Sequence, residues 1–188
     1  MTVLPSLYRH SLTLLTDLYQ LTMAYAYWKS GLADGEAVFH LTFRHHPFGG
    51  QFAVACGLGY AVDFLQDLRF SDDDLSYLES LTVADGQPLF EPDFLRYLRA
   101  LEFRCDVDAV VEGTVVFAGE PLVRVRGPLL QSQIIETPLL NMVNFQTLIA
   151  TKAARVCRAA AGRSVLEFGL RRAQGIDGGL AASRAAYI

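Results

Sequence analysis

The sequence predicts a mixed α/β fold: an N-terminal α/β domain (an α+β sandwich) over residues 1–126, a connecting helix over 127–162, and the opening of a second α/β unit over 163–188. Three observations predict it. Hydrophobic residues make up 52% of the 188 residues and charged residues 19%, a core-forming balance that excludes wholesale disorder. A mean hydropathy of +0.25 fits buried strands, or large apolar faces left for a partner. The apolar pattern changes along the chain from helical spacing to alternation and back, with Gly or Pro near many of the changes.

Thr16 is a good N-cap for a helix over 17–30, with Asp17 in its first turn and Gly31 just past its end. Leu18, Leu21, Tyr25 and Trp28 recur at helical spacing. Tyr19, Tyr25, Tyr27 and Trp28 are too many rings for one small core, so part of that surface is expected to meet a ligand or another subunit. A strand over 37–44 alternates Val38, His40 and Thr42 against Phe39, Leu41 and Phe43. Pro47-Phe48-Gly49-Gly50 turns the chain into a second strand over 51–56, and Gly57 and Gly59 lead to a helix over 60–68. Ser71 before Asp72, Asp73 and Asp74 starts another helix, with Leu75, Leu78 and Leu81 on one face. Glu91-Pro92-Asp93 opens a helix reaching Leu101, with Pro92 at its first position.

Over 106–125 the period becomes two. Val107, Ala109 and Val111 alternate with Asp108, Val110 and Glu112, and Gly113 and Gly119-Glu120-Pro121 punctuate a small antiparallel β unit. Gly127-Pro128 ends it. A helical stretch then runs to about Ala161, where Gly162 closes it; Pro138 demands either a kink or a fresh start with Thr137 as cap. Residues 165–169 read as a short buried strand, and 170–188 as the Gly-, Arg- and Ala-rich loop after it.

Charge and cysteines narrow the function classes. A net charge of −4 carries no basic footprint for nucleic acid, although a local site for an anion remains compatible with it. Cys56, Cys105 and Cys157 form no CxxC and are odd in number. They read as buried small hydrophobes in a reducing compartment, and a cytoplasmic location is expected. Residues 1–10 lack the apolar core of a signal peptide, and no apolar run reaches the length of a membrane span. His45 and His46 are adjacent on a strand end and point apart, so no joint metal site is expected. His40 is sheet-facing. The Asp72–Asp74 run is accounted for by its helix N-terminus.

Two segments carry the chemistry. In Leu166-Glu167-Phe168-Gly169-Leu170-Arg171-Arg172-Ala173-Gln174-Gly175, two arginines follow a strand in a Gly-rich loop. That places cationic forks at the carboxyl end of a strand, where α/β folds bind ligands. Guanidinium suits phosphate or carboxylate, and Phe168 offers a flat face to an aromatic ring. The plainer reading, two solvated arginines after an edge strand, stays open on this pattern alone. The second segment is Leu14-Leu15-Thr16-Asp17-Leu18-Tyr19-Gln20-Leu21-Thr22-Met23, by its chemistry a capped amphipathic helix.

This second run, extended through Tyr27-Trp28-Lys29-Ser30-Gly31, resembles the start of nicotinate phosphoribosyltransferases. Three further segments match that family in order. They are Phe43-Arg44 leading to Pro47-Phe48-Gly49-Gly50, Glu136-Thr137-Pro138-Leu139-Leu140-Asn141, and Glu167 to Gly175 with Asp177-Gly178-Gly179 beyond. The resemblance implies an N-terminal α/β domain followed by an irregular (β/α) barrel of the type II phosphoribosyltransferase kind, begun at 163–188 and incomplete there. It implies a reaction of nicotinate with phosphoribosyl pyrophosphate to nicotinate mononucleotide and pyrophosphate, in NAD biosynthesis. ATP hydrolysis, coupled through a phosphorylated histidine, and Mg2+ are implied with it. It implies a homodimer whose sites lie between the barrel of one subunit and the N-terminal domain of the other.

On that resemblance Tyr19 and Phe168 sandwich the pyridine ring, Tyr19 coming from the opposite subunit. Arg171 binds phosphate, Arg44 takes the donor's phosphates across the dimer, and Arg172 and Gln174 bind substrate or support their loop. The phosphorylated histidine is expected beyond Ile188, so no catalytic residue is assigned within the chain. A complete (β/α) barrel takes about 250 residues. The expectation is therefore a chain inactive alone, with apolar surface exposed along the 129–161 helix and prone to aggregate. Two other readings remain open: a nicotinamide or quinolinate phosphoribosyltransferase relative, and a non-catalytic remnant that pairs with a full-length homologue.

Overall fold

A computed structural model of the protein describes residues 11–188; the signal-peptide reading of residues 1–10 lies outside them. In chain order the regular elements are α1 (Leu18–Lys29), β1 (Glu36–Thr42), β2 (Ala53–Val54), α2 (Leu58–Gln66), α3 (Asp72–Glu79), α4 (Pro92–Arg99), β3 (Asp106–Ala109), β4 (Val115–Val116), β5 (Pro121–Pro128), α5 (Leu129–Ile134), α6 (Glu136–Ala160) and α7 (Gly175–Tyr187). They form two compact units. The first takes the described residues up to Ala37 with Asp63–Cys105 and Gly127–Thr137; the second takes Val38–Val62, Asp106–Arg126 and Pro138–Ile188. Compact packing thus follows long-range contacts rather than linear order.

The first unit is helical. Asp17, not Thr16, holds the N-cap position of α1, without a side-chain cap bond; the Thr16 hydroxyl is buried without a partner. Gly31 leaves the helix at φ +72, a conformation that costs other residues a Cβ clash. The buried stripe of α1 is Gln20, Leu21 and Ala24. Tyr25 and Trp28 pack on Phe90 and Phe94, so two of the four α1 rings enter the core. Tyr19 is 54% exposed. Ser71 caps α3 reciprocally: its hydroxyl accepts the Asp74 N–H at 3.1 Å, and the Asp74 carboxylate accepts the Ser71 N–H at 2.8 Å. Pro92 begins α4, which buries Phe94 and Leu98 completely. Helix α5 packs on α1, and its first amides bond the Gly35 and Ala33 carbonyls at 2.7 and 3.1 Å.

The expected 129–161 helix is two helices, broken at Ile135. The restart is at Glu136, two residues before Pro138, the first helical residue that a Thr137 cap would give. Pro138 then lies in the first turn of α6, where no intrahelical N–H bond is lost.

The second unit holds two small sheets. One has the order β1-β5-β3, with β3 and β5 antiparallel from Asp106↔Arg126 to Ala109↔Val123. In the other, β2 pairs antiparallel with β4, Ala53 facing Val116. The strand expected over 51–56 is only two residues long. Its other edge meets the threonines of α6 instead of a strand: Val54 N–H donates to Thr151 Oγ1 at 2.9 Å and Cys56 N–H to Thr147 Oγ1 at 3.1 Å. Gly57, at φ +103, follows; a Cβ there would stand 2.6 Å from the Met142 carbonyl oxygen. Val54, Cys56, Ala150 and Ala185 form a core with Phe52, Ile149 and Ala154 against it.

The C-terminal reading is corrected in two places. Residues 165–169 form no strand, because strand backbone needs a neighbouring ladder and none lies beside them among the described residues. Residues 175–187, expected as loop, form α7. Its glycines are tolerated because Gly179, Ala181 and Ala185 make a buried small-residue face, and a Cβ on Gly179 would come within 2.5 Å of Leu170. The apolar exposure expected along 129–161 is partial, at Leu140, Phe145 and Val156, each 37–45% exposed, and the larger exposure lies beyond it. Leu130, Ile134, Leu139, Val143 and Ala150 are buried, whereas Leu166, Phe168, Leu170 and Leu180 are 60–81% exposed.

Candidate functional site

In the first unit, Tyr19 stands in the opening turn of α1, its ring mostly in solvent and its hydroxyl held. The next residue, Gln20, is completely buried. Its Nε2 donates one proton to Tyr19 Oη at 3.0 Å and the other to Glu136 Oε2 at 2.7 Å. Glu136 is the first residue of α6. The Gln20 carbonyl oxygen is buried with no partner.

In the second unit, residues 163–169 are irregular and lead to a 3-10 turn over Leu170–Arg172. The Glu167 carboxylate accepts the Gly169 N–H and closes the bend. Phe168 is 81% exposed, and Arg171 and Arg172 are exposed beside it in sequence. These three lie in one short irregular stretch, whereas the sequence reading puts Phe168 on a strand and only the arginines in the loop after it. Arg44 lies exposed after β1. Among the described residues, Arg44, Arg171 and Arg172 have no carboxylate partner. Arg96, Arg99, Arg104 and Arg124 by contrast each hold an aspartate.

Beyond Arg44 the chain is strained. Phe48 is left-handed at φ 58, ψ 29, held by Arg155, which donates to its carbonyl at 3.0 Å, and by the Lys152 ammonium 4.6 Å from its ring centre. His46 Nε2 accepts the Ala118 N–H at 3.0 Å, which explains it as a turn anchor. Among the described residues no group of three or more His, Cys, Asp or Glu side chains is placed to hold a metal ion.

A charged cluster in the second unit was not legible in the sequence. Arg184 of α7 grips Glu112 bidentately, Nη1 donating to Oε1 at 3.0 Å and Nη2 to Oε2 at 2.7 Å. Nη1 also donates to Gln146 Oε1 at 3.0 Å, and the guanidinium lies 5.5 Å from the Tyr60 ring centre. Glu112 Oε1 accepts the Gly57 N–H at 2.7 Å, at the start of α2. The bidentate guanidinium, with the Gly57 amide, holds the Glu112 carboxyl at about 2. Burial pushes the Cys56 thiol up, and the Glu112 charge adds to this. Cys56 is therefore an inert buried thiol. Cys157 is exposed and Cys105 half-buried, which corrects the reading of all three cysteines as core residues. Glu112 and Arg184 are 72 positions apart, and nothing local marks either.

Among the described residues no helix is long and apolar enough to cross a membrane. Residues 14–144 match the family model for the nicotinate phosphoribosyltransferase N-terminal domain. A nicotinate phosphoribosyltransferase of Caenorhabditis elegans is 46% identical over 93% of this chain and 31% of its own length. The crystal structure of human nicotinic acid phosphoribosyltransferase superposes with a TM-score of 0.83 at 49% identity, over 93% of this chain and 34% of that one. At 21% identity, a nicotinate-nucleotide pyrophosphorylase structure from Pyrococcus furiosus shares the fold, with a TM-score of 0.68. The chain spans about a third of the length of the curated relatives it matches.

Proposed function

The chain belongs to the nicotinate phosphoribosyltransferase family, and from that premise we propose that it supplies ring- and phosphate-binding surfaces to an enzyme that makes nicotinate mononucleotide. One observation supports this most directly. The residues of the family's motifs present bare aromatic faces at Tyr19 and Phe168 and guanidinium groups without carboxylates at Arg44, Arg171 and Arg172. A flat anionic ring and a phosphorylated sugar need those two kinds of surface.

In the proposed reaction the pyridine nitrogen of nicotinate forms a bond to the anomeric carbon of the phosphoribosyl donor. The carbon–oxygen bond to pyrophosphate breaks, and its electron pair leaves with the pyrophosphate. Positive charge gathers on the ribose and negative charge on the leaving group. Arg171 and Arg44 would hold phosphate oxygens and stabilise that charge, and Arg172 would assist. Tyr19 and Phe168 would fix the ring by stacking. The resemblance implies magnesium and ATP as well; among the described residues no group of three or more His, Cys, Asp or Glu is placed to hold a metal ion, and the part proposed for this chain is that of its rings and arginines. A cytoplasmic location and a homodimer in which Tyr19 and Arg44 serve the partner's site belong to the same proposal.

A chimera provides the test. Residues 1–188 replace the aligned segment of the human relative, and conversion of labelled nicotinate and phosphoribosyl pyrophosphate is followed. We expect product from the chimera and none from the 188 residues alone. Arg171→Met in the chimera should lower kcat/KM by about a hundredfold. A folded chimera that makes no product would overturn the reading, and one that prefers nicotinamide or quinolinate would redirect it to those relatives.

A further inference from the structure

We propose that Gln20 and Glu136 are positioning residues: Glu136 orients the Gln20 amide, and that amide fixes the Tyr19 ring in its outward pose. The inference rests on the assignment of Tyr19 to the pyridine site. It goes further in giving the site a buried support and a reason for two motifs that lie far apart in the sequence.

Gln20 is 0% exposed, and burying an amide is costly unless its groups are bonded. Its Nε2 is fully used, at 2.7 Å to Glu136 Oε2 and 3.0 Å to Tyr19 Oη. Its carbonyl oxygen has no partner. Core filling alone would be served better by Leu or Met, which leave no orphaned acceptor. The amide instead makes two hydrogen bonds that a hydrocarbon cannot.

The amide's orientation is fixed by charge. An ionised carboxylate only accepts hydrogen bonds, so Nε2 must face Glu136. A flip would set two oxygens against each other. With Nε2 so placed, its second proton is aimed at the Tyr19 oxygen. Tyr19 is 54% exposed and stacks on no other aromatic ring among the described residues. This hydrogen bond is thus its side-chain tether. An exposed ring free to change rotamer would have to be ordered at each binding event, a cost of about 0.5–1.5 kcal/mol for a side chain. A tethered ring has met that cost in folding. The two partners lie 116 positions apart, one beside Tyr19 and the other at the first residue of the Glu136-Thr137-Pro138 run. Sequence alone gives no reason for them to occur together.

The first measurement needs no substrate. The full 188-residue chain, labelled with 3-fluorotyrosine, is compared by fluorine NMR with Gln20→Met, Glu136→Leu and Glu136→Gln. Tyr19→Phe assigns the signal. Gln20→Met and Glu136→Leu should move the Tyr19 signal to the free fluorotyrosine position and sharpen it, with the other tyrosine signals in place as the control for folding. Glu136→Gln, which keeps an acceptor for the amide, should leave the Tyr19 signal closer to its wild-type position than Glu136→Leu does. A Tyr19 signal unmoved by Gln20→Met in a folded chain overturns the proposal. So does a shift of all tyrosine signals together in both Gln20→Met and Glu136→Leu, which would mark both residues as merely structural.

The second measurement is made in the active chimera. Gln20→Met should raise KM for nicotinate about tenfold with kcat within about twofold, and Glu136→Gln should stay closer to wild type than Glu136→Leu. Unchanged KM in Gln20→Met overturns the proposal. A tether confirmed by NMR in a folded chimera that never turns over nicotinate sinks the assignment of the reaction and leaves the tether standing.

Discussion

Two residues carry more than their types announce. Glu112 lies at the end of a strand-like run, yet it receives Arg184 bidentately and the Gly57 amide. Its folded carboxyl sits at about 2, below its ordinary 4.5. The stabilisation is therefore complete above about pH 4.5 and is lost as pH falls toward 2; it amounts to about 3 kcal/mol at most for so large a displacement. Urea unfolding of Glu112→Gln near neutral pH should show a loss of up to that size. Toward pH 2 the variant and the wild type should converge, and curves that stay parallel would refute the pairing. Gly57 combines φ +103 with a Cβ position 2.6 Å from the Met142 carbonyl. Gly57→Ala should cost about 3 kcal/mol through strain and overlap together, measured by the same unfolding. The turn at Gly57 was legible in the sequence as a loop signal, but the partner that forbids a side chain, a helix more than eighty residues away, was not.

Among the elements, those with local punctuation were legible and those that depend on distant partners were not. Ser71 with three aspartates fixes the start of α3, and Pro92 that of α4, because caps act within one turn. Ser71→Ala should lower stability by about 1 kcal/mol, seen as a shifted thermal midpoint, while Ser71→Asp should largely keep it. The run at 165–169 has strand composition and no strand, since a ladder is a property of neighbours. Helix α7 was missed for the converse reason. Its glycines read as breakers, whereas in the fold Gly179 is the small face that allows close packing on Leu170. The site divides the same way. Arg171 and Arg172 are legible as loop residues from the glycines around them, Phe168 is not, since the strand expected for it does not form, and the amide behind Tyr19 is invisible because its carboxylate is 116 positions away.

At the scale of the whole molecule, the exposed apolar surface concentrates near the C-terminal stretch, where Leu166, Phe168, Leu170, Leu180 and Tyr187 are each at least 60% exposed. Patches of this kind drive association in water. The double variant Leu166→Ser with Phe168→Ser should reduce light scattering and hydrophobic-dye binding of the 188-residue chain, with unfolding free energy changed by no more than about 0.5 kcal/mol. Unchanged scattering would locate the sticky surface elsewhere. The interleaving of the two units bears on how the chain is made. The polypeptide passes from one unit to the other at 37/38, 62/63, 105/106, 126/127 and 137/138. A ribosome releasing it from the N-terminus completes neither unit until Gly127–Thr137 has emerged. Helix α1 must wait for α5, which packs on it, so the nascent chain should draw chaperones late in translation rather than early.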